Sequence, residues 1–575
     1  MRPNKDTRPY QAKMAVPCPE IVTLHGSKHA ALLLVALILL SACGGGGGTT
    51  PTVAPNANAT TPIVNVPSGN NAGGNTSGNA SGNTAGSAAD SNGNATQGSG
   101  AGQIANSDGY YPDANGRYPD SNGIYPDQNG NYPSLIQAGH YANSNGVARS
   151  FSTAGALDLS NAFFKPFGNG RSCASCHDAA DGFSITPSTI QKRFESSQGL
   201  DPLFSLNDGA VSPNAAVATL NQRQLAFSLL LNKGLFRIGM KIPDNAEFEL
   251  LRANDPYGFA SAQELSLYRR PLPSANLKFL SHLMWDGRET ASSTNSQDCL
   301  PQKNCFAALD FNLASQAHHA TQGHAQAALG LTAQQQKEIV DFEKTLFTAQ
   351  IYSKFAGFLD VAGAKGGPKF LSKVGFVFGS NDPIYGNLKT GALFNGEVMS
   401  NYSNWLNSTG TLSKTQHEAR QSIARGEQIF NNRPFHTSFQ GGIPNDFDLP
   451  LTATTCSSCH NTPQVGGASA PLAVSIFTSD GQLRTPDLPL YLLRHKVSGL
   501  IARTTDPGVA MQTGKWNDIG RFKVPNLRGL SARAPYFHNG SAATITDVVF
   551  YYERTFGLGL SAQEFDDLVA FLSAL

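Results

Sequence analysis

Apolar residues recur every three or four positions in four stretches of the chain, which is the spacing of one face of an amphipathic helix. The pattern predicts helices over residues 222–236, 332–347, 416–430 and 561–575. Residues 350–412 are rich in Gly and Phe and give no firm pattern. In the first predicted helix, the residues available for one face are Leu225, Leu229, Leu230 and Phe236.

The clearest of the four predicted helices covers residues 332–347, where Thr332 is a candidate N-cap. Its apolar stripe consists of Ile339, Val340, Phe342, Leu346 and Phe347. Three charged residues, Asp341, Glu343 and Lys344, are expected on the side that faces water. Glu343 is therefore predicted to be exposed.

Residues 28–43 have the pattern of a bacterial export signal. A basic flank precedes an apolar run at residues 30–40, and Leu-Ser-Ala-Cys follows, ending at Cys43. The run is too short to span a bilayer. The last four residues match a lipoprotein signal, in which Cys43 would be lipidated; the alternative is an ordinary signal peptide. We expect residues 1–43 to be a lipoprotein signal peptide and the membrane to be reached only through the lipid.

Residues 44–136 are predicted to form a disordered linker. Up to about residue 108 they are Gly, Asn, Ser, Thr and Ala, which cannot bury enough apolar surface to offset chain entropy. A seven-residue repeat, Tyr-Pro-Asp-x-Asn-Gly-x, then begins at Tyr111, Tyr118 and Tyr125. Pro-Asp and Asn-Gly form turns, so the repeat is either a binding stalk or a spacer.

Length and charge narrow the range of functions. The 575 residues suffice for two or three domains, and the net charge is +1 without a basic tract. We therefore expect no nucleic-acid partner. Charged residues make up only 14% of the chain, which is typical of exported proteins.

Two Cys-x-x-Cys-His motifs carry the strongest chemical signal. In such a motif the two thiols bind a c-type haem covalently and the histidine ligates its iron. The motifs comprise Cys173, Cys176 and His177, and Cys456, Cys459 and His460. Cys299 and Cys305 are expected to form a disulfide, because haem c attachment implies an oxidising compartment; the alternative is two unpaired thiols. The chain is thus predicted to carry two covalent haem c groups.

The sixth ligand of each iron decides whether it carries electrons or binds small molecules. After His177 the next histidine is His282, and the one methionine between them is Met240. The local supply of a sixth ligand is poor, so the first iron is expected to be open. The alternative is a distant ligand, His282 or Met284, brought in by the fold.

Three further segments resemble a known family. Residues 284–289, Met-Trp-Asp-Gly-Arg-Glu, are similar to the Phe-Trp-Asp-Gly-Arg stretch of the bacterial di-haem cytochrome c peroxidase and MauG family. Residues 522–528 and 534–541 resemble its C-terminal signature. The resemblance implies a mainly α fold with two cytochrome c-type haem domains packed together. These would be a peroxidatic domain with inserts at residues 137–412 and an electron-transfer domain at residues 413–575.

The resemblance also implies the second ligand of the second haem. The family ligand lies fourteen positions after the signature histidine, here His538, which gives Tyr552. MauG-like members have Tyr at this position, so the second haem is expected to be ligated by His460 and Tyr552. A packed aromatic role for Tyr552 is the alternative, and Tyr551 is its neighbour.

The catalytic residues implied by the resemblance are Gln316, Trp285 and Arg288. Ten residues after Gln316, where the family has Glu, this chain has Gln326. We expect His324 to be the substitute acid–base group, with two rivals, His318 and His319. Trp285 would relay an electron between the haems, or else be a packed core indole. A family His that gates the first haem has no counterpart between residues 177 and 282, which again favours an open site.

The family also binds a calcium ion between its haems, and the carbonyl ligands would fall near Arg533 and Pro535. The leading hypothesis is an exported periplasmic or outer-membrane lipoprotein of a Gram-negative bacterium that uses hydrogen peroxide. Its electrons would come from a small cytochrome or cupredoxin, or from an oxidisable organic or protein substrate. The alternatives are a rubber-oxygenase-like dioxygenase and a pure electron-transfer lipoprotein. For the dioxygenase, an apolar channel could be lined by Phe355, Phe358, Phe370, Phe376 and Phe378.

Overall fold

The computed structural model describes Arg117 and residues 139–290, 309–407, 412–436 and 454–575. The predicted signal peptide, Cys43, nearly all of the linker and the pair Cys299 and Cys305 lie outside these residues. No helix in the described part of the chain is long and apolar enough to cross a membrane.

The described residues form α-helices and short antiparallel β-sheets. The α-helices are α1 (Pro187–Ser197), α2 (Leu220–Ala226), α3 (Ser228–Lys233), α4 (Leu309–Gly323), α5 (Ala333–Thr345), α6 (Gly367–Leu371), α7 (Lys414–Asn432), α8 (Cys456–Cys459), α9 (Ala510–Thr513), α10 (Ile545–Phe556) and α11 (Ala562–Ser573). The strands are β1 (His140–Asn143), β2 (Gly146–Ser152), β3 (Phe236–Met240), β4 (Phe248–Asn254), β5 (Leu265–Arg269), β6 (Leu346–Ser353), β7 (Gly357–Phe358), β8 (Ala473–Val474), β9 (Leu490–His495), β10 (Ile501–Thr504) and β11 (Phe522–Lys523).

The strands form four sheets in the described residues, with the orders β1-β2-β6-β7, β10-β9-β4, β11-β8 and β3-β5. The expectation of a mainly α fold therefore understated the β content. Strand β4 lies before residue 412 and pairs with β9, which lies after it. The two halves predicted as separate haem domains thus share a sheet, and the described residues from 139 onward belong to one unit.

Three of the four predicted helices are present with their caps. Thr332 caps α5 reciprocally with Gln335, and Ser561 caps α11 with Glu564. Ser413 caps α7 by accepting from the Gln416 backbone N–H. Side-chain caps of this kind satisfy amide groups that have no partner within the helix, which is why these boundaries follow from the sequence.

The prediction of one helix over residues 222–236 was wrong. The segment breaks at Phe227 into α2 and α3. Helix α3 ends at Gly234, which has a left-handed conformation (φ 61°), and the chain then continues as strand β3. A left-handed residue closes a helix, and Gly adopts that conformation without a Cβ clash. Leu225, expected in the core, is 73% exposed, whereas Leu229 and Leu230 are buried.

Helices α7, α10 and α11 form the core around the second motif. Gly426 lies where α7 meets α11, and a Cβ there would come within 1.9 Å of the Asp567 carbonyl oxygen. The side chain of Asp567 is held by Arg425 (2.7 Å) and Ser422 (2.7 Å). The close approach places Phe430 and Phe571 with ring centroids 5.5 Å apart behind the second motif.

Candidate functional site

Both Cys-x-x-Cys-His motifs begin with the same capped turn. The Ser172 backbone N–H donates to Ser175 Oγ (2.9 Å), and the Thr455 backbone N–H donates to Ser458 Oγ (3.0 Å). In each motif the backbone N–H of the histidine also donates to the backbone carbonyl of the first cysteine, at 3.0 Å. One local unit is therefore used twice, as the hydroxyl residues flanking each motif permit.

The motif histidines are both oriented by a backbone carbonyl. His177 Nδ1 donates to the Phe183 carbonyl (2.9 Å) and His460 Nδ1 to the Gly466 carbonyl (2.6 Å). Burial lowers the pKa of each imidazole to about 4, so both are neutral at pH 7. A neutral imidazole whose Nδ1–H is engaged presents Nε2 as a metal ligand.

Each motif opens onto a cavity of its own. Cavity 1, of about 200 Å³, is lined by Cys173, Cys176 and His177. Cavity 2, of about 180 Å³, is lined by Cys456, Cys459 and His460. The two cavities are nearly equal in volume.

The four residues predicted to be catalytic, Gln316, His324, Trp285 and Arg288, all line cavity 1. The two rival histidines lie elsewhere: His318 contacts the Leu331 carbonyl, and His319 pairs with Glu289 on the surface. Gln326 takes a left-handed conformation (φ 54°) and accepts from Asn169, outside the cavity lining. The fold thus gathers one histidine of the three beside the first motif.

His324 is half-exposed and is joined to two buried charged residues that gave no signal in the sequence. Its Nδ1 donates to Asp208 Oδ2 (2.6 Å), and Asp208 Oδ1 accepts from Arg171 Nη1 (2.6 Å). Burial raises the pKa of Asp208, but the His324 hydrogen bond and the Arg171 charge together hold it below its ordinary value. An ionised Asp208 accepts this hydrogen bond and fixes the ring of His324.

Two candidate sixth ligands for the first motif are separated by the structure. Met284 lines cavity 1, whereas His282 is buried outside that lining with its Nδ1 against Ser281 Oγ (3.1 Å). Met284 has a left-handed backbone (φ 61°), which is uncommon for a residue with a side chain.

Trp285 lies in the lining of both cavities. Its indole Nε1 donates to the Arg270 backbone carbonyl (2.8 Å), and its backbone carbonyl accepts from the Lys523 backbone N–H (2.8 Å). The next residue, Asp286, anchors the loop by accepting from Arg269 Nη1 (2.6 Å) and from the Arg288 backbone N–H (3.2 Å). The indole is thus held rigidly between the two motifs.

In cavity 2 the structure distinguishes the two adjacent tyrosines. Tyr552 lines the cavity, and among the described residues its hydroxyl has no hydrogen-bond partner. Tyr551 instead donates to the Ile476 carbonyl. Burial raises the pKa of Tyr552 above its ordinary value, so its ionisation needs a nearby positive charge.

The comparisons with known proteins point the same way. The chain is 34% identical over 143 residues to cytochrome-c peroxidase IdrP1 of Denitromonas iodatirespirans, covering 21% of this chain and 36% of that protein. It is 30% identical over 122 residues to cytochrome c peroxidase Ccp of Escherichia coli (strain K12), covering 21% and 22%. Over about a fifth of its length, the chain is similar to bacterial cytochrome-c peroxidases.

Other comparisons add less. Cytochrome c551 peroxidase of Nitrosomonas europaea is 31% identical over 121 residues, covering 21% of this chain and 30% of that protein. No protein-family model matches. A solved MauG-like protein associated with microbial copper homeostasis overlaps 67% of this chain and 89% of its own, at 15% identity and a TM-score of 0.26, which supports no argument. The sequence matches span about a third or less of these relatives, so activity and substrates are proposals for this peroxidase relative.

The cavities of this peroxidase relative suit haem c beyond the motifs themselves. Lys523 is buried and lines both cavities, and no ion pair of its ammonium occurs in the described part of the chain. Burial lowers the pKa of Lys523 to about 7, with Arg533 adding to the effect. An unpaired buried cation is costly unless an anion joins it. The propionate groups of a haem are such anions, so the donor set fits the group.

Glu343 corrects one expectation for helix α5. It is 4% exposed and lines cavity 1, because the side of α5 predicted to face water forms part of the cavity wall. Burial raises the pKa of Glu343 to about 8, so it is protonated at pH 7. Its Oε2 atom has no partner among the described residues. Cavity 1 therefore holds a second proton-carrying group that periodicity missed.

Replacing Glu343 by Gln should flatten the pH dependence of stability. The folded protein binds the Glu343 proton more tightly than the unfolded chain, so wild type loses stability as pH rises from about 4.5 to 8. The loss amounts to about 5 kcal/mol above pH 8. Melting temperatures of Glu343→Gln and Glu338→Gln, measured from pH 5 to 9, check this. If melting temperature falls with pH equally steeply in both variants, Glu343 does not carry the raised pKa assigned to it.

Proposed function

We propose that this chain is a di-haem c peroxidase, with hydrogen peroxide reacting at the His177 site and the His460 site relaying or storing electrons. The observation that carries the proposal is the difference between two cavities of similar size. Cavity 1 is lined by Gln316, Arg288, Glu343 and the Asp208-supported His324. Cavity 2 is lined mainly by apolar side chains, and its titratable lining residues besides the motif are Lys523, Tyr536, His538 and Tyr552. The carboxylate-supported imidazole and the buried carboxyl line cavity 1 and not cavity 2.

Reduction of peroxide to two waters consumes two electrons and two protons. The two haems, when bound, supply peroxide cleavage and storage of the oxidising equivalents. The chain moves a proton within peroxide: His324, held by Asp208, can take a proton from one oxygen and return it to the other, which leaves as water. The two protons consumed overall come from solvent. Gln316, an uncharged amide in the same wall, orients the peroxide by hydrogen bonding. Arg288 adds a positive charge to this wall.

Trp285 is proposed as the route between the two sites, since its indole lines both cavities. Replacing Trp285 by Phe should slow peroxide-driven turnover while leaving the first peroxide-binding step intact. Stopped-flow spectra at the two haems would separate these steps. Trp405→Phe, which changes a buried indole outside both linings, is the matched control. If Trp285 has only a packing role, Trp285→Phe will transfer electrons between the two sites at the wild-type rate.

The steady-state test uses the di-haem protein, hydrogen peroxide and a reduced small cytochrome or cupredoxin. We expect peroxide-dependent oxidation of the donor. Oxygen uptake with polyisoprene and inertness to peroxide would instead favour the dioxygenase. The five phenylalanines considered for an apolar channel are absent from both cavity linings, so the described structure offers that alternative no support.

A pure electron carrier is the second candidate, because Met284 lines cavity 1 and a thioether could close the first iron. This alternative predicts a site that does not react with peroxide. We further propose that the protein is exported as a periplasmic or outer-membrane lipoprotein through Cys43, and that Cys299 and Cys305 form a disulfide.

A further inference from the structure

Arg270 directly follows strand β5, lines cavity 1 and is 4% exposed. Its backbone N–H donates to the His538 carbonyl (2.7 Å), and its own carbonyl accepts from Trp285 Nε1 (2.8 Å). The backbone of Arg270 therefore ties the C-terminal signature to the indole that lines both cavities.

The guanidinium of Arg270 is surrounded by backbone carbonyls from two loops. Nη1 donates towards Lys233 (3.3 Å) and Gly234 (3.5 Å), and Nη2 towards Arg533 (3.1 Å) and Ala534 (3.4 Å). A Cβ on Gly234 would lie 2.0 Å from Nη1, so only Gly leaves room for this group. The loops are built around a cation.

Calcium, which the family resemblance implies, does not fit this place. Its expected ligands included the Arg533 carbonyl, but that carbonyl accepts from Arg270. Calcium takes six to eight oxygen ligands, preferably with carboxylates. Here the charged side chains beside these carbonyls are Arg270, which is buried, and Arg533, which is half-buried. Adding a doubly charged ion beside these two cations would be opposed by repulsion.

We propose that the Arg270 guanidinium takes the place of calcium among these carbonyls while the Arg270 backbone carbonyl positions Trp285, so the protein needs no calcium. Arg270 acts through Trp285 and the signature loop rather than on peroxide. The inference rests on contacts between protein groups and is independent of the reaction that the haems perform.

The first test uses the holoprotein as purified. Elemental analysis should find no stoichiometric calcium, and neither EGTA nor added calcium should change its melting temperature or haem spectra. One tightly held calcium per chain, or a melting temperature lowered by EGTA, would overturn the proposal even if peroxidase activity were absent.

The second test compares Arg270→Gln with Arg223→Gln. Arg223 also donates to backbone carbonyls, those of Gln198, Val217 and Ala218, but lines neither cavity. The Arg270 change frees carbonyl oxygens, adds an amide oxygen and removes a charge, so calcium should raise the melting temperature of this variant alone. It should also slow electron transfer between the haems, and Arg270→Lys should restore part of that rate. An Arg270→Gln protein that matches Arg223→Gln in every readout would refute the assignment.

Discussion

Replacement of His324 by Gln should slow the reaction of the ferric protein with hydrogen peroxide by about 10²- to 10⁴-fold, the range typical of a lost general acid–base group. The imidazole lines cavity 1 and is fixed through Nδ1 by Asp208, which leaves Nε2 for proton transfer. Glutamine can hydrogen-bond peroxide but cannot carry its proton. Stopped-flow measurement of the second-order rate constant against pH would show the loss.

The matched control for this prediction is His319→Gln. His319 lies on α4, the helix that ends directly before His324. It pairs with Glu289 on the surface and is absent from the cavity lining. Its rate constant should stay at the wild-type value. Asp208→Asn should give an intermediate rate, because the hydrogen bond that fixes the His324 ring is weakened. If His324→Gln and His319→Gln react equally fast, another group moves the proton.

Replacement of Tyr552 by Phe should remove the low-spin signal of the second haem while leaving the spectrum of the first unchanged. Tyr552 is the tyrosine that lines cavity 2, and its hydroxyl is unpartnered within the described residues. A phenolate is an anionic ligand that favours the ferric state, so its loss should also raise the reduction potential of that haem. Low-temperature EPR and redox titration measure both effects.

Tyr551→Phe is the matched control, since it removes the neighbouring hydroxyl, which is bonded to the Ile476 carbonyl. That variant should keep the wild-type low-spin signal. If Tyr551→Phe loses the signal and Tyr552→Phe retains it, the ligand assignment is reversed. If neither changes it, the second iron is ligated by a different group.

Local patterns predicted three of the helices that begin with a side-chain cap, but not α1 or α10, which Thr186 and Thr544 cap. Thr332, Ser413 and Ser561 each precede a periodic apolar run, and each caps the helix observed there. The break at Phe227 and Gly234 was missed because tertiary contacts, including the guanidinium beside Gly234, decide it. Pairing of β4 with β9 joins residues more than two hundred positions apart, which local periodicity cannot reveal.

The candidate site also contains residues that the sequence predicted and residues that it did not. The motif residues and Tyr552 followed from fixed spacings, and the fold brings each set to one cavity. Asp208 and Arg270 carried no signal because their partners, His324 and the Arg533 loop, are remote in sequence. Glu343 was misplaced because one apolar stripe on α5 did not reveal that its other side lines a cavity.

Low-temperature EPR of the ferric di-haem protein before and after addition of hydrogen peroxide tests the central claim most directly. Our account predicts one high-spin signal, from an open first iron beside His177, and one low-spin signal from the His460 site. The high-spin signal should disappear when peroxide is added. Two low-spin signals that do not respond to peroxide would contradict the account and identify an electron carrier.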